Sequence, residues 1–500
     1  MDVILAKEII YMLKNEGYHP GDRLPSERFL HVQRPTIRNA LAQLVREHYL
    51  FSQERLGYFV APDRIKISTH TCTDNFDPGE RCPNIRWQPY SFEEILVDKR
   101  LSGKMLIPEQ TPVYKILFIY YENDTPLCLD YSYTPIDIYP GLTAEILGSR
   151  PILNVLQTDL QIPILKSNQR VTLIYTNEEE SSLLQTAPGS PMMKYKGLVY
   201  DDTGRLIHFF EDIMKIDDFA FIRCGNGGIM EQLNHVAAQV RDIIVSRIES
   251  HEYLPGEMIP SERVLAEMYG VSRPTIRTAI DELVNEHYLV RRQGKGTFVK
   301  KPEYNKVAFG VLNESKNASF TSLVRNFGIE ISNKLLCTGT IQGRYYYADK
   351  LGLAFEEPIY GIHRIRQGNK EPLAIEYTYV PLKFFPDIDN YNFEQISLYD
   401  YMSTRDHLPV VFQESLTMVE AGDKIRSYLH LEDEMIVNHL ELIGYDRHGN
   451  LVEYTESYSR PDKLEVRFVI QIRNAVCKKI SRAHMKFVRS TYFFFIHFTR

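Results

Sequence analysis

The feature that most constrains this fold is a repeat. Pro25-Ser26-Glu27-Arg28 returns as Pro260-Ser261-Glu262-Arg263, the RPTIR run of Arg34 to Arg38 returns at Arg273 to Arg277, and Glu47-His48-Tyr49-Leu50 returns at Glu286 to Leu289. The echo runs on well past these marks. Pro112-Val113-Tyr114 matches Pro358-Ile359-Tyr360, Pro126-Leu127 matches Pro372-Leu373, and Ile162-Pro163 matches Leu408-Pro409. A chain that repeats itself in this way folds as two similar units, and 500 residues already exceed what one hydrophobic core holds. Each unit is expected to hold a small domain followed by a larger one.

The small domain is most legible in the second copy. Ser261 and Glu262 can open a helix, Val264, Leu265 and Met268 recur at helical spacing, and Gly270 tolerates the positive φ that ends it. Ser272 then suits an N-cap, Pro274 a first turn, and Ile276, Ile280, Leu283 and Val284 one buried stripe. Arg273, Thr275 and Arg277 are left near the exposed N-terminus of this second helix, where cationic and hydroxyl side chains suit base edges and phosphates. Tyr288 to Arg292 and Thr297 to Lys301 read as a hairpin around Gln293-Gly294-Lys295-Gly296, whose glycines allow close approach to a phosphate backbone while Arg291, Arg292 and Lys295 supply charge. Any one piece is equally an amphipathic helix or a basic surface hairpin. The order of the pieces is the informative part.

That order resembles the winged helix of GntR-type bacterial transcription regulators, with PSER, SRPTIR and QGKGTFV as its motifs. The resemblance implies double-stranded operator DNA as a partner. It assigns DNA contact to Arg263, Ser272, Arg273, Thr275, Arg277, Arg291, Arg292, Lys295 and Gly296, and to Arg28, Arg34, Thr36 and Arg38 in the first copy. The first copy departs from the pattern. Four residues are missing between its PSER and RPTIR, and Ser52, Gln53 and Leu56 stand where the second copy has Arg291, Arg292 and Lys295. Weaker DNA contact is expected there.

The net charge of −7 excludes a protein that coats nucleic acid indiscriminately, yet between Arg273 and Lys301 seven basic residues face three acidic ones. Six cysteines without paired spacing fit a reducing, cytoplasmic setting. His70, Cys72 and Cys82 lack a regularly spaced fourth ligand, so no metal is expected. There is no signal-like N-terminus and no apolar run of membrane-spanning length.

The fold class expected is α+β, two winged helices alternating with two mixed-sheet domains. The first winged helix occupies residues 1–62, a linker 63–84, the first large domain 85–223, the second winged helix 229–302 and the second large domain 305–472. The basic and aromatic tail 476–500 has no counterpart and receives no role. In the large domains, strand-like runs flank Glu122-Asn123-Asp124 and Asp202-Thr203-Gly204 in the first copy. Ile359 to Arg366 with Leu373 to Val380, and Ile436 to Tyr445 with Val452 to Ser459, form the hairpins of the second. This order resembles the UTRA effector domain of the HutC subfamily, a chorismate-lyase-like fold that binds small metabolites.

Arg364 and Arg366 alternate on one strand and so share a face, where two guanidinium groups repel unless an anion lies between them. Cross-strand salt bridges would be the structural explanation. Glu376 and Glu453 add carboxylates, and Ser319 and Thr321 open a helix whose free N–H groups favour an anion. The HutC resemblance adds Ser397 and Tyr399 of an SLYD helix and implies a small anionic metabolite such as a phosphosugar; Tyr458, on the strand that carries Glu453, is a further candidate for contact with it. In the first copy Phe118, Tyr120, Asp130, Pro151, Leu153 and His208 replace Arg364, Arg366, Glu376, Ser397, Tyr399 and Glu453. An anion site is therefore not expected there; the first domain either takes an uncharged ligand or serves as a packing partner.

Since the chorismate-lyase-like fold also hosts enzymes, catalysis is an alternative, but no nucleophile–base pair, metal set or phosphate loop supports it, and no cofactor is expected. An interaction protein with lost DNA binding is a second alternative, opposed by the intact motifs of the second copy. Because one chain carries two winged helices, it either forms an intrachain pseudo-dimer or pairs as a homodimer.

Overall fold

The computed structural model describes residues 2–25, 34–68, 76–77, 85–148, 150–224, 240, 244, 247, 253, 256–285, 289–292, 296–299, 307–309, 331–432 and 435–471. The fold is α+β with predominantly antiparallel sheets. Among these residues no helix is long and apolar enough to cross a membrane.

The two small domains share one plan. In the first, the helices Asp2–Asn15 and Arg34–Arg46 precede a hairpin of Leu50–Gln53 and Gly57–Val60; in the second, Glu262–Tyr269 and Arg273–Asn285 precede Leu289–Arg292 and Gly296–Val299. Both hairpins pair in the same register, Leu50 opposite Val60 and Leu289 opposite Val299. Gly57 and Gly296 hold φ of 108° and 111°, which strain any side chain, and a Cβ at Gly296 would also stand 2.9 Å from the Met258 sulfur, so that side chain would have to shift. The expected caps form. Ser261 Oγ accepts from the Val264 N–H, Ser272 Oγ accepts from the Thr275 N–H, and Gly270 closes the first helix at φ 65°. The stripe expected on that helix is corrected: Leu265 and Ala266 bury, whereas Val264 and Met268 face solvent. A helix of eight residues offers its neighbour one narrow ridge, too narrow for all three expected positions. Val240 and Ile244, four residues apart, also lie in the core of the second winged helix.

Each large domain contributes six long strands to one sheet. Thr125–Pro135 and Pro112–Glu122 pair tightly around the turn Asn123-Asp124, with Asn123 at φ 55°, and Ile359–Gly368 pairs with Glu371–Pro381 in the second domain. The first sheet runs Val307–Phe309, Leu464–Gln471, Ile164–Tyr175, Pro191–Asp201, Leu206–Lys215, Thr125–Pro135, Pro112–Glu122, Ile85–Leu96. The second runs Ile331–Ile341, Ile359–Gly368, Glu371–Pro381, Leu451–Ser459, Ile436–Tyr445, Val411–Glu420, Phe219–Cys224, Ile65–Ser68, Phe76–Asp77.

The two orders show that the halves exchange strands. Phe219–Cys224, at the end of the first large domain, pairs antiparallel with Val411–Glu420 of the second and parallel with Ile65–Ser68. In the mirrored arrangement, Leu464–Gln471 of the second domain pairs antiparallel with Ile164–Tyr175 of the first and parallel with Val307–Phe309. The reading of 63–84 as a linker is corrected in part, since Ile65–Ser68 and Phe76–Asp77 are strands of the second sheet, and each large domain lends one strand to the sheet of the other. Alternation within a strand tells which face is buried but not which sheet it joins, and here the partner lies across the duplication. The apolar cluster is shared accordingly: Phe219, Phe221, Leu416, Met418 and Val466 pack in one core with Ile116, Phe118 and Leu156.

The first winged helix does not stand alone either. Ala6, Ile9, Ile10, Leu13, Ile37 and Leu44 share a core with Tyr346, Tyr347, Tyr379 and Tyr454 of the second large domain. Among the described residues, the buried cluster of the second winged helix is drawn from its own residues, 240 to 299.

Candidate functional site

Two regions carry the residues singled out by sequence. In the second winged helix, Arg263, Ser272, Arg273 and Arg277 are exposed, Thr275 is half-buried, and Arg291 and Arg292 project from the hairpin. The helix cap and the glycine turn therefore present a cationic face to solvent. Two of these arginines are already paired: Arg277 Nη2 lies 3.0 Å from Glu262 Oε2, and Arg291 lies 3.2 Å from Glu262 Oε1 and also contacts Asp281. The Glu262 carboxylate holds Arg277 above its ordinary range. Both pairs are open to solvent and therefore weak, which leaves their guanidinium groups accessible to an anion. Arg292 lies over the Phe298 ring at 4.8 Å, which orients its guanidinium along the wing. In the first winged helix Arg38 is exposed and Thr36 is half-buried. Arg28, the Arg34 side chain and Lys295 fall outside the described residues.

In the second large domain, the expected constellation assembles around one buried carboxylate. Arg364 sits opposite Glu376 across the hairpin, with Nη2 3.0 Å from Oε2, and Arg366 Nε approaches the same oxygen at 2.8 Å. All three side chains are nearly excluded from water. Burial and the neighbouring Arg366 pull Arg364 down to about 10, while Glu376, against the effect of burial, is held below its ordinary value by the two guanidinium groups. The Arg364 Nε–H is buried without a hydrogen-bond partner. Two guanidinium groups around one ionised carboxylate leave local positive charge that a second anion would satisfy.

Glu453 completes the site. Its oxygens accept from Tyr399 Oη at 2.8 Å and Thr455 Oγ1 at 2.7 Å, and burial raises its carboxyl above the usual range. Ser397 is engaged in capping the helix Leu398–Thr404, its Oγ accepting from the Asp400 N–H. Sequence reasoning missed Asn333, whose Oδ1 accepts from Arg366 Nη1 at 2.6 Å, and Thr378, whose hydroxyl oxygen pairs with Thr455 Oγ1 at 2.9 Å. Thr378 and Thr455 were legible as the next same-face positions after Glu376 and Glu453. Asn333 required the register of a distant strand.

Tyr458 is corrected. It lies five residues from Glu453 on one strand, hence on the opposite face, and its hydroxyl donates to Glu47 of the first winged helix at 2.9 Å. Ser319 and Thr321 fall outside the described residues.

The first large domain shows what replaces this site. Tyr120 and Ser132 donate to Asp130 at 3.0 and 2.8 Å, and burial pushes that carboxyl up to about 6. His208, where the second copy has Glu453, bonds Thr134 through Nδ1 at 3.0 Å and is driven by burial down to about 3, so it is neutral. Phe210 stands at the position of Thr455 and packs against Gly197, where a Cβ would approach its ring to 2.5 Å. Phe118, Leu153 and Phe210 pack in the shared core. Aromatic rings occupy the volume that polar groups line in the second copy.

Comparison with known proteins agrees with the duplication. The chain matches the UTRA domain over residues 84–220 and 316–465, and the bacterial regulatory proteins of the gntR family over 5–60 and 236–299. The transcriptional repressor NagR of Bacillus subtilis is 29% identical over 226 residues, which cover 45% of this chain and 90% of NagR. The transcriptional regulator YurK of the same organism is 32% identical over 192 residues, 38% of this chain and 77% of YurK. A probable fructoselysine utilization operon repressor of Escherichia coli K12 is 28% identical over 228 residues, 45% of this chain and 91% of that protein. Less than half of this chain thus matches most of each relative, as expected of a doubled unit. The alternative of an enzyme falls with the family, whose members here are transcriptional regulators. With both its DNA-binding and its UTRA regions present twice, the chain belongs to the GntR family of DNA-binding transcription regulators, in its UTRA-carrying HutC branch.

Proposed function

We propose that this protein is a metabolite-responsive repressor in which the second winged helix supplies most of the DNA affinity and the second large domain binds a small anionic, sugar-like effector. The observation that carries the effector is the buried pair Arg364 and Arg366 around the single carboxylate of Glu376, with the Arg364 Nε–H unpartnered. A phosphate or carboxylate ligand would supply the missing acceptor, and Glu453, Tyr399 and Asn333 offer polar contacts suited to hydroxyl groups. The relatives named for repression of fructoselysine utilization and of mannosyl-D-glycerate transport and metabolism make a sugar-derived ligand the natural first choice.

The exchange of Phe219–Cys224 and Leu464–Gln471 between the two sheets favours a single chain acting as a pseudo-dimer. Its operator is then asymmetric, with one strong half-site for the second winged helix. The test is binding to the upstream DNA of its own operon, with and without a panel of hexose 6-phosphates, followed by light scattering of the complex and footprinting. One chain on unequal half-sites and release by a phosphosugar support this reading. Two chains on a palindrome, or no response to any anionic metabolite, overturn the assembly and the effector respectively.

A further inference from the structure

The strand Leu451–Ser459 has two working faces. Glu453 and Thr455 point into the arginine site, while the alternate residues Tyr454, Glu456 and Tyr458 point to the first winged helix. On that second face, Lys7 of the first winged helix is fully buried. Its Nζ contacts Glu456 Oε1 and lies 3.7 Å from Glu47 Oε2. Burial works against the charge of both partners, yet Glu456 and Glu47 hold Lys7 well above its ordinary range, and Lys7 with His439 holds Glu456 down to about 2. Tyr458 bonds Glu47, Tyr346 and Tyr454 both bond Glu441, and the Arg46 guanidinium lies against Gly422.

The first large domain handles the equivalent residue differently. Glu211, which aligns with Glu456, is held by Lys104 at 2.6 Å and Lys194 at 3.0 Å, both from its own domain. A buried ion pair joining two domains is strongly position-specific, because separating its partners leaves an uncompensated buried charge. We propose that the duplicated chain is wired crosswise: the arginine site of the second large domain acts on the first winged helix, through Glu456, Tyr458, Lys7 and Glu47, and not on the second winged helix. The weaker DNA-binding copy is thereby the one that responds to effector. It gains or loses its place beside the second head, changing the avidity of the whole chain, while the intrinsic affinity of the second winged helix stays constant.

This inference rests on reading the Arg364 and Arg366 site as the effector site, and the experiment separates the two. Hydrogen exchange followed by mass spectrometry on the full chain compares wild type with Glu453→Gln, which perturbs only the pocket face, and with Lys7→Met and the milder Tyr458→Phe, which perturb the docking face. Lys7→Met is expected to speed exchange in Asp2–Asn15 and Arg34–Arg46 about ten-fold and Glu453→Gln to change it about two- to five-fold, with Glu262–Tyr269 and Arg273–Asn285 unchanged in both. Tyr458→Phe should show the Lys7→Met pattern at smaller size, which keeps the test valid if Lys7→Met fails to fold. On DNA, Lys7→Met and Tyr458→Phe should weaken binding to a full operator several-fold and leave a single half-site for the second winged helix unaffected. Glu453→Gln without effect on the first winged helix, or with equal effect on the second, overturns the crosswise wiring. If Glu453→Gln moves the first winged helix but hexose 6-phosphates bind nowhere, the wiring stands and the effector reading fails alone.

Discussion

The two winged helices began as copies and now live in different surroundings. The first shares a core with four tyrosines of the second large domain and buries a lysine there; the second, among the described residues, packs a core of its own residues and presents its arginines to solvent. The same contrast runs through the large domains in reverse, since the second keeps two buried arginines and the first has filled that volume with Phe118 and Phe210. In each pair one member buries apolar or aromatic side chains against its neighbour where the other carries arginines at the corresponding surface or pocket.

The comparison can be broken most forcefully at the shared core. Phe221 is buried on an exchanged strand, and Phe221→Ala should cost about 3–5 kcal/mol in urea unfolding, with both halves losing stability in one transition. Two separate transitions, one of them unshifted, would mean that the halves fold independently.

Next in size is DNA binding. Arg273→Ala should weaken operator binding by about 1–3 kcal/mol where the side chain reads a base, whereas Arg38→Ala in the first copy should cost less than about 1 kcal/mol. A titration in which the two losses are reversed exchanges the roles of the two heads.

The pH dependence sharpens the docking of the first winged helix. Glu456 is held at about 2, below the ordinary glutamate value near 4.3, so its contribution is complete above that ordinary value and disappears as pH falls toward 2. Exchange protection of Asp2–Asn15 should fall over this acid window in wild type. In Glu456→Gln the fall should be smaller; an identical profile would show that another group controls the docking.

The smallest effect is expected at the wings. Gly296→Ala meets both a positive φ and the Met258 sulfur, whereas Gly57→Ala meets the positive φ with only the flexible Arg23 end at 3.7 Å. The backbone term is about 1–2 kcal/mol in either wing, and thermal denaturation should show the larger loss for Gly296→Ala. Equal losses would make the Met258 contact irrelevant.

Local chemistry was legible from the residues alone. The duplication, both hairpin wings, the caps at Ser261 and Ser272, and the shared face of Arg364 and Arg366 all follow from spacings of a few residues, because caps, turns and alternation are settled within one or two turns of chain. The substitution of Phe118, Tyr120 and His208 for charged residues likewise pointed to the apolar and neutral surroundings found there. Tyr458 was wrongly grouped with Glu453, although counting along its own strand was enough to separate the two.

What required the folded chain is everything that joins distant segments. Phe219–Cys224 and Leu464–Gln471 alternate like any half-buried strand, and nothing in them names the opposite half as partner. Lys7 reads as a solvated helix residue until Glu456, 449 positions away, is brought against it. Such pairings depend on which surfaces remain unpaired once both units have formed, a property of the whole packing and not of any window of sequence.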